Sequence, residues 1–207
     1  MNAVVNAAGS WMWNNRTHGE LKWKTIETEH FIIHYHQNLD KIALQGASIA
    51  EQIRPTLMKQ MGLESLPTLD IIFTAEDEVL NGFAVPANYT IIWVDQNDAA
   101  LWTGDEKWLR TVLAHELQHL VYFNTVKGPW WLPEPMNSLV HGTPAWIVEG
   151  IAEYFTEEWR PFRYELSHRY HVLRNTVHKI QDPHNDGYSK SLYLADRFGD
   201  STISKIL

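Results

Sequence analysis

One uninterrupted stretch sets the tightest limit on how this chain folds. From Glu106 to Asn124 there is neither glycine nor proline, and Trp108, Leu109, Val112, Leu113, Leu117, Leu120 and Val121 recur at helical spacing. Inside that apolar run stand His115, Glu116 and His119, in the segment HELQH. With 3.6 residues per turn, positions i and i+4 lie one above the other on one face, so both imidazoles can reach a single metal ion. Glu116 follows the first histidine, where its carboxylate can activate a water on that metal. Two protein ligands do not complete a zinc site; catalytic sites usually take three and leave the fourth position to water. The chain must therefore supply a further His, Asp or Glu from another element.

Two layouts for that ligand can be told apart. The extended H-E-x-x-H-x-x-G-x-x-H pattern is absent, because Tyr122 stands at its glycine position and Thr125 at its third histidine. Downstream, Trp146 to Tyr154 reads as a second helix, with Ile147, Ile151, Ala152 and Phe155 on an apolar stripe. Glu149 and Glu153 interrupt it one turn apart. Carboxylates aligned with a buried stripe are unfavourable unless paired or bound to metal, so a metal explains them. His141 is the other candidate for the third ligand.

HELQH followed by the segment Trp146-Ile147-Val148-Glu149-Gly150-Ile151-Ala152-Glu153-Tyr154 resembles the gluzincin metallopeptidases, whose third ligand is a Glu on a later helix. The likeness is to the peptidase MA-like domains, often joined to β-propeller modules in bacterial envelope proteins. It implies a zincin (thermolysin-like) fold, a Zn2+ cofactor, His115, His119 and Glu149 as ligands, and Glu116 as general base. Glu153 matches an acidic residue that orients a ligand histidine, a task that affects metal affinity. Residues 29–35 resemble the opening strand of such a domain, Asn81-Gly82-Phe83-Ala84 a segment near the cleft, and 187–189 with 193–199 the closing helix. The resemblance spans about residues 28 to 207. It further implies a peptide or protein substrate, a possible C-terminal β-propeller in a longer chain, and a location in the bacterial envelope or outside the cell.

Composition narrows the classes of partner. At 207 residues and 44% hydrophobic content the chain can bury a sizeable core, either as one large domain or as two small lobes. A formal charge of −8, with no basic run, argues against nucleic acid. The absence of cysteine removes disulfides and thiolate ligands alike. No stretch approaches the roughly 20 apolar residues of a membrane span, and the N-terminus has no signal-peptide pattern. Ser201 to Leu207 ends in a helical pattern with no tail after it, which suggests a chain that continues.

Patterning predicts an α+β order within a single catalytic domain, 1–207. An N-terminal sheet-and-helix lobe, 1–125, includes the HELQH helix, and a mostly helical C-terminal lobe follows at 126–207. The first 20 residues show no period and are expected to lie as an arm on the domain. Phe31, Ile33 and Tyr35 alternate with Ile32, His34 and His36 as a half-buried strand. Ile42 to Met61 reads as a helix that Pro55 can kink, and Thr68–Thr74 and Thr90–Val94 as strands. Asn81-Gly82-Phe83-Ala84 is either part of an edge strand, against which an extended peptide could lie, or an Asn-Gly turn. Lys127 to Thr143, with three prolines, reads as a loop and a candidate lid. His30, His34 and His36 share one strand parity, so they are expected on one face, solvated or holding adventitious metal.

The expected chemistry follows from charge. Zinc between two neutral imidazoles and one carboxylate polarises a scissile carbonyl and acidifies its water, and Glu116 carries the proton to the leaving amine. A donor for the oxyanion is also needed. Tyr188 is the first candidate, from the likeness to similar domains, with His168, His171, His178 and His184 as rivals. Zinc aminopeptidases of this superfamily carry a further Glu near the edge strand, and residues 81–86 have none, which favours an endopeptidase. The alternative reading is a metallopeptidase-like module that binds peptide or serves as a docking domain with little or no hydrolysis.

Overall fold

In the computed structural model, residues 20–75, 81–94, 105–126 and 144–205 are described. Five strands form one mixed sheet: β1 (Trp23–Glu27), β2 (Phe31–His36), β3 (Leu69–Thr74), β4 (Asn81–Val85) and β5 (Tyr89–Trp93). Their spatial order is β1-β2-β3-β5-β4, with β2, β3 and β5 parallel at the centre and β1 and β4 antiparallel at the two edges. The helices are α1 (Asp40–Met61), α2 (Asp105–Thr125), α3 (Ala145–Phe155), α4 (Glu165–Leu173), α5 (Pro183–Phe198) and α6 (Ser201–Lys205). After α2 the described residues form helices and short 3-10 turns, so the fold is α+β with its helices gathered towards the C-terminus.

The alternation read from β2 buries Phe31, Ile33 and Tyr35 as expected. His36 departs from it and is also buried, because its Nε2 accepts the Ala75 N–H at the end of β3 and its Nδ1 meets the Gln37 carbonyl oxygen. The three histidines are thus dispersed rather than clustered. His30 is held by Glu51, and His34 bridges Asp70 and Thr25. β1 is an element that patterning did not predict. Four of its five side chains are exposed, so it shows no buried period and is held by its ladder to β2.

Helix α1 covers one face of the sheet and runs through Pro55. It stops at Gly62, whose φ of 67° lets the Gly62 and Leu63 N–H groups return to the Lys59 and Met58 carbonyls, a glycine-terminated helix end. Between β4 and β5 the chain turns at residues 86–88, with Asn88 left-handed at φ 64°. Asn81 and Gly82 therefore belong to the edge strand, and the Asn-Gly turn does not form.

Helix α2 lies under β4 and β5, between α1 and α3. Leu109, Leu113, Leu117, Leu120 and Val121 enter a core that continues from the sheet through Ile151 and Phe155 to Ala195 and Ile203. Helices α3 and α5 pack against each other along their lengths, and α6 returns to touch α1. Among the described residues no helix is long and apolar enough to cross a membrane. The first 19 residues, the segment 127–143 and with it His141 lie outside the described residues.

Candidate metal centre

Three elements meet around one point. The HELQH segment presents its polar side chains from the inner face of α2, with Glu116 and His119 only 5% and 7% exposed. His119 Nε2 and His115 Nε2 lie 3.1 Å apart, and both approach the same oxygen, Oε2 of Glu149 on α3, at 3.3 and 3.4 Å. In a tetrahedral site with bonds of about 2.0–2.1 Å, two donor atoms are separated by about 3.3 Å. The three observed separations are close to that length. The two imidazole nitrogens are within hydrogen-bond distance of each other, but Glu149 Oε2 is buried and makes no hydrogen bond within the chain. Buried polar atoms without partners are rare, and inward-facing atoms at ligand spacing suit a cation.

His184, in the first turn of α5, is the fourth member. Its Nε2 stands 3.0 Å from Glu149 Oε2, and its ring stacks on His115 with centres 5.8 Å apart. His115, Glu149 and His184 offer ligand atoms all within 4.8 Å of one another. The N-terminal turn that carries His184 is fixed by Asp182, whose carboxylate accepts the Asn185 N–H, and by Pro183 at the first helical position.

The electrostatics follow from burial and crowding. Burial, countered in part by Glu149, lowers His115 to about 4, leaving its ring neutral and able to donate a lone pair at neutral pH. Burial also disfavours charge on His119, but Glu149 and Glu116 outweigh it and the net shift is upward. Burial opposes ionisation of Glu149 as well, yet the three imidazoles around it hold its carboxyl far below the usual range. Contact with Glu149 raises His184 to about 9 against its own burial. Glu116 is pushed up to about 7, chiefly by burial, which poises a carboxyl near neutrality, where proton exchange is efficient.

Edge strand β4 crosses directly over Glu116. A Cβ added at Gly82 would sit 2.4 Å from Glu116 Cγ, so only glycine allows the strand so near the carboxylate. The strand's pairing to β5 leaves its other edge without a partner strand among the described residues.

Of the residues singled out by sequence, His115, His119, Glu116 and Glu149 converge, and Glu153 approaches His115 Nδ1 at 3.5 Å from behind. Burial raises the Glu153 carboxyl, with Arg163 pulling the other way. Tyr188 does not reach the cluster's inner face. It is 2% exposed and its hydroxyl donates to Glu157 Oε1 at 2.7 Å; burial and that bond push its ionisation well above the ordinary value. Its ring fills the space beside Tyr154 and Tyr164. His184, one turn earlier on the same helix, faces Glu149 instead. His168 and His171 bond Ser189 and Thr176 instead. Arg163, at 3.0 Å from Glu153, was not singled out, because an arginine in a turn has no spacing that marks it. No protein-family model matches the chain, and comparison with curated proteins finds no match.

Proposed function

We propose that the chain is a zinc-dependent metallopeptidase of gluzincin type with a zincin fold, cleaving within peptide chains. The meeting of His115 Nε2, His119 Nε2 and Glu149 Oε2 at 3.1–3.4 Å, beside the buried Glu116, carries this reading. His115, His119 and Glu149 would hold the ion. When bound, zinc supplies Lewis-acid polarisation of the scissile carbonyl and a more acidic water. Glu116 accepts the proton of the attacking water and hands it to the leaving amine nitrogen, a role suited to a carboxyl near 7. His184, whose Nε2 stands 3.0 Å from Glu149 Oε2, donates from Nε2 to the carbonyl oxygen as negative charge develops there. An extended substrate lies along β4, whose backbone groups pair without regard to side chain. The close passage of β4 over Glu116 brings that peptide to the base.

The decisive experiment measures zinc content and cleavage of an unstructured protein with and without chelator. About one zinc per chain and chelator-sensitive cleavage are expected, and Glu149→Ala should lose both. Full zinc retention in Glu149→Ala would move the third ligand to His141 or His184. Zinc without cleavage would point to a binding module.

The oxyanion donor is tested separately. His184→Ala is expected to lower kcat roughly 100-fold or more, the usual loss for a missing donor. Tyr188→Phe should change kcat little and act on thermal stability, since its hydroxyl serves Glu157. The reverse ranking of the two variants would return the role to Tyr188.

A further inference from the structure

Behind His115 lies an ion pair that the proposed reaction does not use. Glu153 is 5% exposed, and its Oε1 faces two groups at once, His115 Nδ1 at 3.5 Å and Arg163 Nη1 at 3.0 Å. A carboxylate this far from water is strongly unfavourable without a counter-charge. Among the described residues, Arg163 is the cation found at ion-pair distance from it. Arg160 lines the same recess. The arginine is itself held in place. Its guanidinium lies 4.9 Å from the centre of the Tyr164 ring, and the chain enters this turn through a left-handed Phe162, φ 68°, a strained conformation for a bulky residue.

A histidine ligand is oriented by whatever its second ring nitrogen meets. For His115 the group facing Nδ1 is Glu153 Oε1, 3.5 Å away and not hydrogen-bonded to it, and Arg163 Nη1 stands 3.0 Å from the same oxygen. We propose that Arg163 is a positioning residue of the metal centre, holding the Glu153 carboxylate in the rotamer that aims His115 Nε2 at the ligand position beside Glu149. Without Arg163 the carboxylate turns towards water or Arg160, and the ring loses its brace. Arginine suits this task because its planar fork retains one geometry while stacked on an aromatic ring.

This inference rests on the metallopeptidase reading, so the test separates the two. Zinc dissociation constants of the whole chain are measured by chelator competition for wild type, Arg163→Met, Glu153→Gln and the double variant. Each single change is expected to weaken zinc binding about tenfold, the low end of the effect of outer partners on affinity. The double variant should be no weaker than the singles, because the two residues act in series. Arg163→Lys should recover part of the loss, since it keeps the charge but not the stacked planar fork, and the visible absorption of the cobalt-loaded protein should change in Arg163→Met and return in part in Arg163→Lys. Where Arg163→Met does not fold, Arg163→Gln replaces it in the cycle. Wild-type affinity in the arginine variants, or losses that multiply in the double, would overturn the role of Arg163 alone. A wild-type chain that takes up no zinc would overturn the metallopeptidase reading, and this inference with it.

Discussion

Glu116→Gln should leave about one zinc per chain while cutting turnover by roughly 10²- to 10⁴-fold, the range supplied by a positioned general base. The amide occupies the same volume, so the close approach of Gly82 over the side chain is kept and His115 and His119 stay in place. What disappears is the ability to take a proton from water. The substitution also has a signature in stability. Burial raises the Glu116 carboxyl from 4.5 to about 7, so in the metal-free wild type the folded state binds more protons than the unfolded state between those values. Stability therefore falls as pH rises through that window and levels off above about 7. The glutamine variant lacks this loss, which is on the order of 3 kcal/mol. Its Tm advantage over wild type should open from pH 4.5 to 7, measured with chelator present. Retained turnover in Glu116→Gln would remove Glu116 from the reaction.

Gly187→Ala should damage fold and metal site together. A Cβ at residue 187 would lie 2.1 Å from the Trp146 carbonyl oxygen and 2.5 Å from Gly150 Cα, and one at residue 150 would lie 2.3 Å from the Gly187 carbonyl carbon. These are backbone atoms inside helices, so no side-chain rotation relieves the overlap, and α3 and α5 must part by more than about 1 Å to reach ordinary contact distances. Overpacking of this kind costs about 1–3 kcal/mol and sometimes more, a fall in Tm of roughly 2–4 °C for each kcal/mol in a chain of this size. Glu149 rides on α3 next to Gly150 and His184 on α5 one turn before Gly187, so the 3.0 Å contact between them opens as the helices separate. Zinc affinity should drop at least about tenfold, as for loss of an outer partner. Thermal scans and chelator competition read the two effects. If both stay at wild-type values, the two glycines are not what brings the helices together.

The legible parts of the fold were those with a period. α2 could be read from its apolar repeat and the absence of breakers, and β2, β3 and β5 from β-branched and aromatic alternation with turn residues between them. β1 could not, because a strand held only by its ladder leaves no burial pattern in its side chains. The lobe read as mostly helical divides into α3, α4, α5 and α6 with 3-10 turns among them. Phe162 and Asn175 adopt left-handed φ at two of those breaks, and neither residue announces this in sequence. Tyr188 and His184 show the same limit at the site. Both sit on one helix one turn apart, and only the packing of α5 against α3 decides which faces Glu149 and which faces Glu157.

By itself the sequence determined that two imidazoles and a carboxyl share one turn of a buried helix, because helical spacing is a local property that needs no knowledge of the rest of the chain. It also marked Glu149 and Glu153 as acids on an apolar stripe. The tertiary structure alone decided that Glu149 reaches those imidazoles, that His184 joins them, and that Arg163 braces Glu153 from behind. The His184 contact depends on how closely α3 and α5 approach, which the bare backbones at Gly150 and Gly187 allow, and the Glu149 contacts depend on how α3 packs against α2; no pattern of side chains along the sequence records either.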